Sequence, residues 1–343
     1  MRAPLRARRL ALARAAAALL LVCSAAGVRA ADLDEVLKRW DSDAHGDLCS
    51  VLVLRGGAVV AERYYNGATA DALHDVRSAG KSITALLVSA ALDRGKIASV
   101  ADPVQRYWPA ARGSALGDVT IADLLTMRSG LAAFDEDAAS PGNEDKLDEA
   151  ADPLAFTLAV PRAQPPGQQY RYNSLTAYAA GIVVEQATGQ DLEAFARTAL
   201  FAPLGIARWH WGRDAAGHPK GQGNLSLRTR DLASIGQLVL GGGQFGGRTV
   251  LSAGAVRAAI APRVDIGAGD RYADSYGYFW YAKTHVVGGR TLPVHFASGN
   301  GGNKIYVVPA LNMVAVVTSR AYGRGYGQLR SENILKAILA AVD

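Results

Sequence analysis

The strongest constraint on this chain is the placement of its β-rich runs, which sit at its two ends with helical patterns between them. Cys49–Leu54 and Ala58–Tyr65 are rich in apolar and β-branched residues, and Arg55-Gly56-Gly57 between them is a hairpin signal. Lys304–Val308 and Met313–Ser319 form a second such pair, linked by Pro309-Ala310-Leu311-Asn312. Helical spacing covers Lys81–Arg94, Ile121–Met127, Leu175–Thr188, Leu192–Leu200, Asp231–Leu240 and the last stretch, Gln328 to Val342. Such an order predicts an α/β (α+β) fold: an antiparallel sheet built from both chain ends, flanked by helices, with an inserted mostly helical lobe roughly within 97–270. The polar stretch Ala132–Asp152, with Ser140-Pro141-Gly142, reads as a long loop bordering that lobe, and long loops in compact domains are often functional.

Charge excludes some partners. The formal net charge of +6 rests on six arginines in residues 1–30, a segment that holds no acid; setting them aside leaves 31 bases against 31 acids. The rest of the chain therefore has no bulk attraction for nucleic acid or an anionic surface. Met1 to Arg9 is basic, Leu10 to Ala26 is apolar, and Val28-Arg29-Ala30 precedes Ala31, the pattern of a secretory signal cut after Ala30. On that reading residues 31–343 form one exported domain, periplasmic or secreted, with no stable membrane span. A membrane anchor is the alternative, but Arg14 interrupts a run already short for a span. Arg8-Arg9 leaves a twin-arginine route open, and Cys23 a lipoprotein site. After cleavage only Cys49 would remain, in an apolar run that suits a small buried hydrophobe.

One motif carries chemistry. Arg77-Ser78-Ala79-Gly80-Lys81-Ser82 opens an apolar helix that Gly95 closes, so Ser78 stands at a helix start with Lys81 on the same face one turn along. A serine hydroxyl is a weak nucleophile until a base takes its proton, and a lysine is such a base once burial lowers its pKa. The plain alternative is Ser78 as a helix cap and Lys81 as a solvated surface lysine.

The wider setting resembles the serine β-lactamase-like superfamily. The resemblance runs from His74 to Thr84, through Leu92–Ile97 and Asp102-Pro103-Val104, to Thr120–Leu131. It continues through Pro166–Ser174, Tyr276-Gly277-Tyr278 and Ser298-Gly299-Asn300-Gly301-Gly302, covering nearly all of the chain past the signal. It implies catalytic roles for Ser78, Lys81 and Tyr172, the last as a phenol relaying a proton to the leaving group. It also implies an oxyanion hole from the backbone N–H groups of Ser78 and Asn300, with Ser174, Ser298 and Gly299 at the substrate. Tyr172 also reads as a packed core tyrosine, and Ser174 as a hydrogen-bond partner of Lys81 or a cap of the following helix. Two departures bear on substrate. The second motif reads Tyr172-Asn173-Ser174 where many relatives have Tyr-x-Asn, and Ala297 stands where a third-motif lysine or histidine is usual. Together they look most like the 6-aminohexanoate-dimer hydrolase and esterase branch, and they weigh against binding a β-lactam carboxylate.

The expected activity is a serine hydrolase acting through an acyl-enzyme on a carboxylic ester, small amide or peptide-like substrate. A β-lactamase or D-amino-acid peptidase is the alternative enzyme, and a catalytically silent penicillin-binding-like sensor is the alternative from another class. None of the six histidines shows metal-ligand spacing, and no metal or cofactor is expected. His295, close to the third motif, reads either as a pocket residue or as an ordinary strand residue.

Overall fold

The computed structural model describes residues 30–342; the expected export signal and its Cys23 lie outside the described residues. Eight strands form one antiparallel sheet, in the order Ala58–Tyr64, Leu48–Arg55, Met313–Ser319, Asn303–Val308, Arg290–Gly299, Tyr281–Val287, Ser275–Tyr276, Val264–Asp265. The two chain ends meet where Leu48–Arg55 pairs with Met313–Ser319, as the distribution of β-rich runs requires. Met313–Ser319 and Asn303–Val308 are buried throughout, and Leu48–Arg55 up to Leu54, which is why these runs are continuously apolar instead of alternating. Gly56 and Gly57 both take positive φ, the requirement of a tight two-residue hairpin.

Helices cover both faces. Ala79–Asp93 and Thr229–Leu240 pack on one, Ala30–Lys38 and the closing helix Tyr326–Ala341 on the other. Gly236 lets the Thr229–Leu240 helix approach closely, since a Cβ there would stand 2.5 Å from Val314 Cγ1. A second helical layer begins with Ser174–Thr188, which packs along Ala79–Asp93. Its N-terminus is capped by Asn173, whose Oδ1 accepts from the Thr176 N–H at 2.7 Å, and it ends at Gly189 in the left-handed region.

Three local expectations are revised. The run expected as one helix, Leu192–Leu200, is α-helical only to Ala196 and continues as a π-helical turn, Arg197–Phe201. The stretch 132–152 is not all loop, because Asn143 caps a short helix, Glu144–Glu149. Four strands between 264 and 299 escape a reading by hydrophobic run: Tyr281–Val287 carries Lys283, Thr284 and His285, and Arg290–Gly299 contains Pro293. These are edge-side strands with one wet face, so their pattern is diluted.

Candidate active site

A short three-stranded sheet of His74–Asp75, Leu225–Leu227 and His210–Trp211 delivers the chain to the start of the Ala79–Asp93 helix. The turn is tight. Arg77 takes φ +52, costly for a residue with a Cβ, and is held by its N–H to Asp75 Oδ1 at 2.8 Å and by stacking of its guanidinium 4.4 Å from the Tyr322 ring centre. Ser78 follows, half-buried, with helical backbone angles. Its hydroxyl makes no capping hydrogen bond, so the helix-cap reading fails on geometry.

The solvated-lysine reading fails as well, because Lys81 is 1 % exposed. Its Nζ donates to Ser78 Oγ, to Ser174 Oγ and to the Gln222 carbonyl, each at 2.9 Å, and lies 5.1 Å from the centre of the Tyr172 ring. All three acceptors are neutral. Burial pushes the Lys81 amine below the ordinary lysine range, and the carboxylates of Glu144, Asp135 and Asp148 offset only part of that. A neutral amine here gives two hydrogens to Ser174 and Gln222 and keeps its lone pair for the Ser78 hydroxyl.

Tyr172 lines the same cleft. Burial drives its phenol well above the usual range, opposed by its interaction with the Ser78 hydroxyl, so it rests protonated. Tyr172 is thus a neutral phenol at rest, not a phenolate.

Across the cleft the strand Arg290–Gly299 ends against the turn that carries Ser78. Gly299 makes this contact possible, because any Cβ would collide with the Val76 carbonyl oxygen and stand 3.0 Å from the Ala79 nitrogen. Asn300 follows, with its side-chain Oδ1 accepting from the Gly323 N–H and its carbonyl accepting from Asn303 Nδ2, both at 2.8 Å. The backbone N–H groups of Ser78 and Asn300 have no partner among the hydrogen bonds of the described residues. They border one cleft of about 470 Å³, which Ser298 and Gly299 also line.

The residues singled out from sequence are therefore brought together, and the structure chooses between the readings left open for Ser174 and His295. Ser174 is fully buried behind Lys81 and does not reach the cleft surface; Asn173, not Ser174, is the helix cap. His295 lies outside the cleft, partly buried beside the Ile260 backbone.

Sequence reasoning missed one feature of weight, an acidic wall. Asp135, Glu136, Glu144, Asp145 and Asp148 all line the cleft, with Arg77 the only basic side chain among the lining residues. Burial raises the Asp135 carboxyl to about 6; Lys81 works against this and Glu144 with it. Ser174 lies near, yet neither Asp135 oxygen accepts a hydrogen bond of ordinary geometry. The signal was present: the stretch 132–152, read as a long loop, holds eight acids, and five of them line the cleft.

A mixed fold with this sheet, and a serine–lysine pair at a helix start beneath it, define the architecture shared by serine β-lactamases, penicillin-binding proteins and related esterases. The chain belongs to the Beta-lactamase family, whose model matches residues 44–339. It is 30 % identical over 250 residues to the 6-aminohexanoate-dimer hydrolase of Paenarthrobacter ureafaciens, a match that takes in 69 % of this chain and 62 % of that protein. In fold it is similar to a putative 6-aminohexanoate-dimer hydrolase from Bacillus anthracis, with TM-score 0.73 at 20 % identity over 88 % of this chain and 81 % of the other. A family VIII carboxylesterase aligns with TM-score 0.70 at 17 % identity, covering 91 % of this chain and 98 % of that one.

Proposed function

We propose that the protein is a serine hydrolase that forms an acyl-enzyme at Ser78 and acts on a carboxylic ester or small amide. The observation that carries this is the Lys81 amine: buried, without a carboxylate partner, and 2.9 Å from Ser78 Oγ. Lys81 takes the Ser78 proton as Oγ bonds to the substrate carbonyl carbon. The oxyanion is met by the N–H groups of Ser78 and Asn300. Tyr172 passes a proton to the leaving oxygen or nitrogen as its bond to carbon breaks, and Lys81 replenishes it. Water then attacks the acyl carbon by the reverse proton path, releasing the acid and restoring Ser78.

The acidic wall supports a substrate that is neutral or carries an ammonium group, and opposes one bearing a carboxylate near the scissile bond. This favours the ester and amide reading over a β-lactamase. The basic and apolar pattern of residues 1–30 supports export, periplasmic or secreted. Among the described residues no helix is long and apolar enough to cross a membrane.

The test is the intact mass of the protein after brief exposure to an activated short-chain ester, with Ser78→Ala alongside. An acyl-sized gain in wild type alone, with ester turnover, is expected. Equal labelling of the mutant would assign the nucleophile elsewhere. No adduct and no turnover across short and medium chains would undercut the ester reading and raise a silent sensor or a narrow-specificity amidase.

A further inference from the structure

A second buried lysine lies behind the cleft and has no part in the chemistry above. Lys304 is 3 % exposed on the strand Asn303–Val308, directly opposite Ser298 in the sheet register. Its Nζ donates to Ser298 Oγ at 2.7 Å and lies 4.8 Å from the Phe296 ring centre. Among the described residues no carboxylate pairs with it: Glu332, which lines the same small internal cavity, is engaged by Lys283 at 2.8 Å and Lys336 at 3.2 Å. Ser298 is the link to the cleft, because its half-buried hydroxyl lines the wall beside Gly299 and Asn300. Gln328 braces the same corner from the closing helix, donating from Nε2 to the Gly299 carbonyl at 2.8 Å.

We propose that Lys304 is a positioning residue that fixes the Ser298 hydroxyl as a hydrogen-bond donor into the cleft, selecting substrates with an uncharged carbonyl oxygen at that point. This rests on the hydrolase reading and adds a specificity determinant to it. A protonated amine donating to Oγ prevents the serine hydrogen from turning back, so that hydrogen faces the cleft, polarised by the charge behind it. A deprotonated amine reverses the arrangement: its lone pair takes the serine hydrogen, and the hydroxyl offers the cleft only an acceptor. Lys304 is placed to make that change near neutrality. Burial lowers it to about 7, with Asp270 and Glu332 acting upward and Lys283 downward. The other titratable groups around it are Tyr272, His285 and Tyr306, which line its cavity.

The experiment compares ester pairs that differ by one carbonyl. The p-nitrophenyl esters of N-acetylglycine and pentanoic acid place it on the acyl side. The butyrates of 4-acetamidophenol and 4-propylphenol place it on the alcohol side. At pH 6 the wild type is expected to prefer the carbonyl-bearing member of one pair by about tenfold in kcat/KM, mainly through KM. That preference should fall towards unity as pH rises above 8, while both esters keep their common catalytic profile. Lys304→Met and Ser298→Ala should each abolish it at pH 6, and the double variant should lose nothing more. No preference in either pair, or a preference that survives Lys304→Met, overturns the proposal. The wild-type pH series decides the matter if Lys304→Met does not fold: a preference independent of pH counts against it. Calorimetric binding of the same pairs to Ser78→Ala protein gives the answer without turnover. If the wild type hydrolyses none of these esters, the ester reading falls, while the binding ratio still decides the role of Lys304.

Discussion

Gly299 and Val76 meet backbone to backbone, with the glycine Cα turned at the Val76 carbonyl so that no side chain fits between them. This contact sets how near Asn300 stands to Ser78, and thus whether their two N–H groups converge on one point, as the proposed oxyanion hole requires. Gly299→Ala must push the strand end away from the turn. Loss of one donor of this kind costs about 10² to 10³ in kcat. Ester turnover of Gly299→Ala is therefore expected to fall at least about 10²-fold, with thermal unfolding several degrees lower. Near-wild-type turnover would show that the contact does not set the oxyanion geometry.

The proposed mechanism requires Lys81 as a base that can lose its proton, not as a positive charge. Lys81→Arg keeps the charge but cannot give up its proton in a protein, and Lys81→Met removes both. Both variants are expected to lose about 10³ in kcat/KM, the middle of the range for general-base catalysis. Since the neutral amine is the active form, wild-type kcat/KM should rise with pH, its acid limb lying below the ordinary lysine range. A Lys81→Arg variant with near-normal activity would assign Lys81 an electrostatic role only.

The sheet's central strands were legible because burial on both faces leaves continuous apolar runs, as in Met313–Ser319. The Ser78–Lys81 pairing was legible because Ser-x-x-Lys at a helix start is a local pattern. What the sequence hid depends on contacts distant in the chain. Gln222 holds Lys81 through its carbonyl, which leaves no signature in residue type. Ser174 reads as a partner of Lys81, a substrate contact or a helix cap, and only packing decides for Lys81. Lys304 reads as one more lysine in a strand until register places it opposite Ser298.

Asp135 should make the fold less stable at neutral pH than it need be. Its carboxyl is raised to about 6, above the unfolded value, so the folded state holds the proton more tightly. Stability attached to this group is present at low pH and lost as pH rises through about 4 to 6. Asp135→Asn removes that penalty. It should raise Tm by roughly 3–6 °C at pH 7 to 8 and by little at pH 4. Ionised Asp135 also holds the Lys81 proton, so the variant's acid limb of kcat/KM should move to lower pH. A lower Tm at pH 8, or an acid limb moved upward, would contradict this placement of the charge.

Glu144 tests the acidic wall. It lines the cleft, and its carboxylate acts on both Lys81 and Asp135. A substrate ammonium a few ångströms away gains attraction that partial burial strengthens and salt weakens. Glu144→Gln should raise KM about fivefold to tenfold for an ester carrying a terminal ammonium group. A neutral ester of equal length should change by less than twofold, and 0.5 M salt should shrink the difference. The comparison also separates charge from shape, because glutamine keeps the size of the side chain. Equal effects on both esters would mean that Glu144 supports the loop and not the substrate, and the preference for cationic substrates would then lose its physical basis.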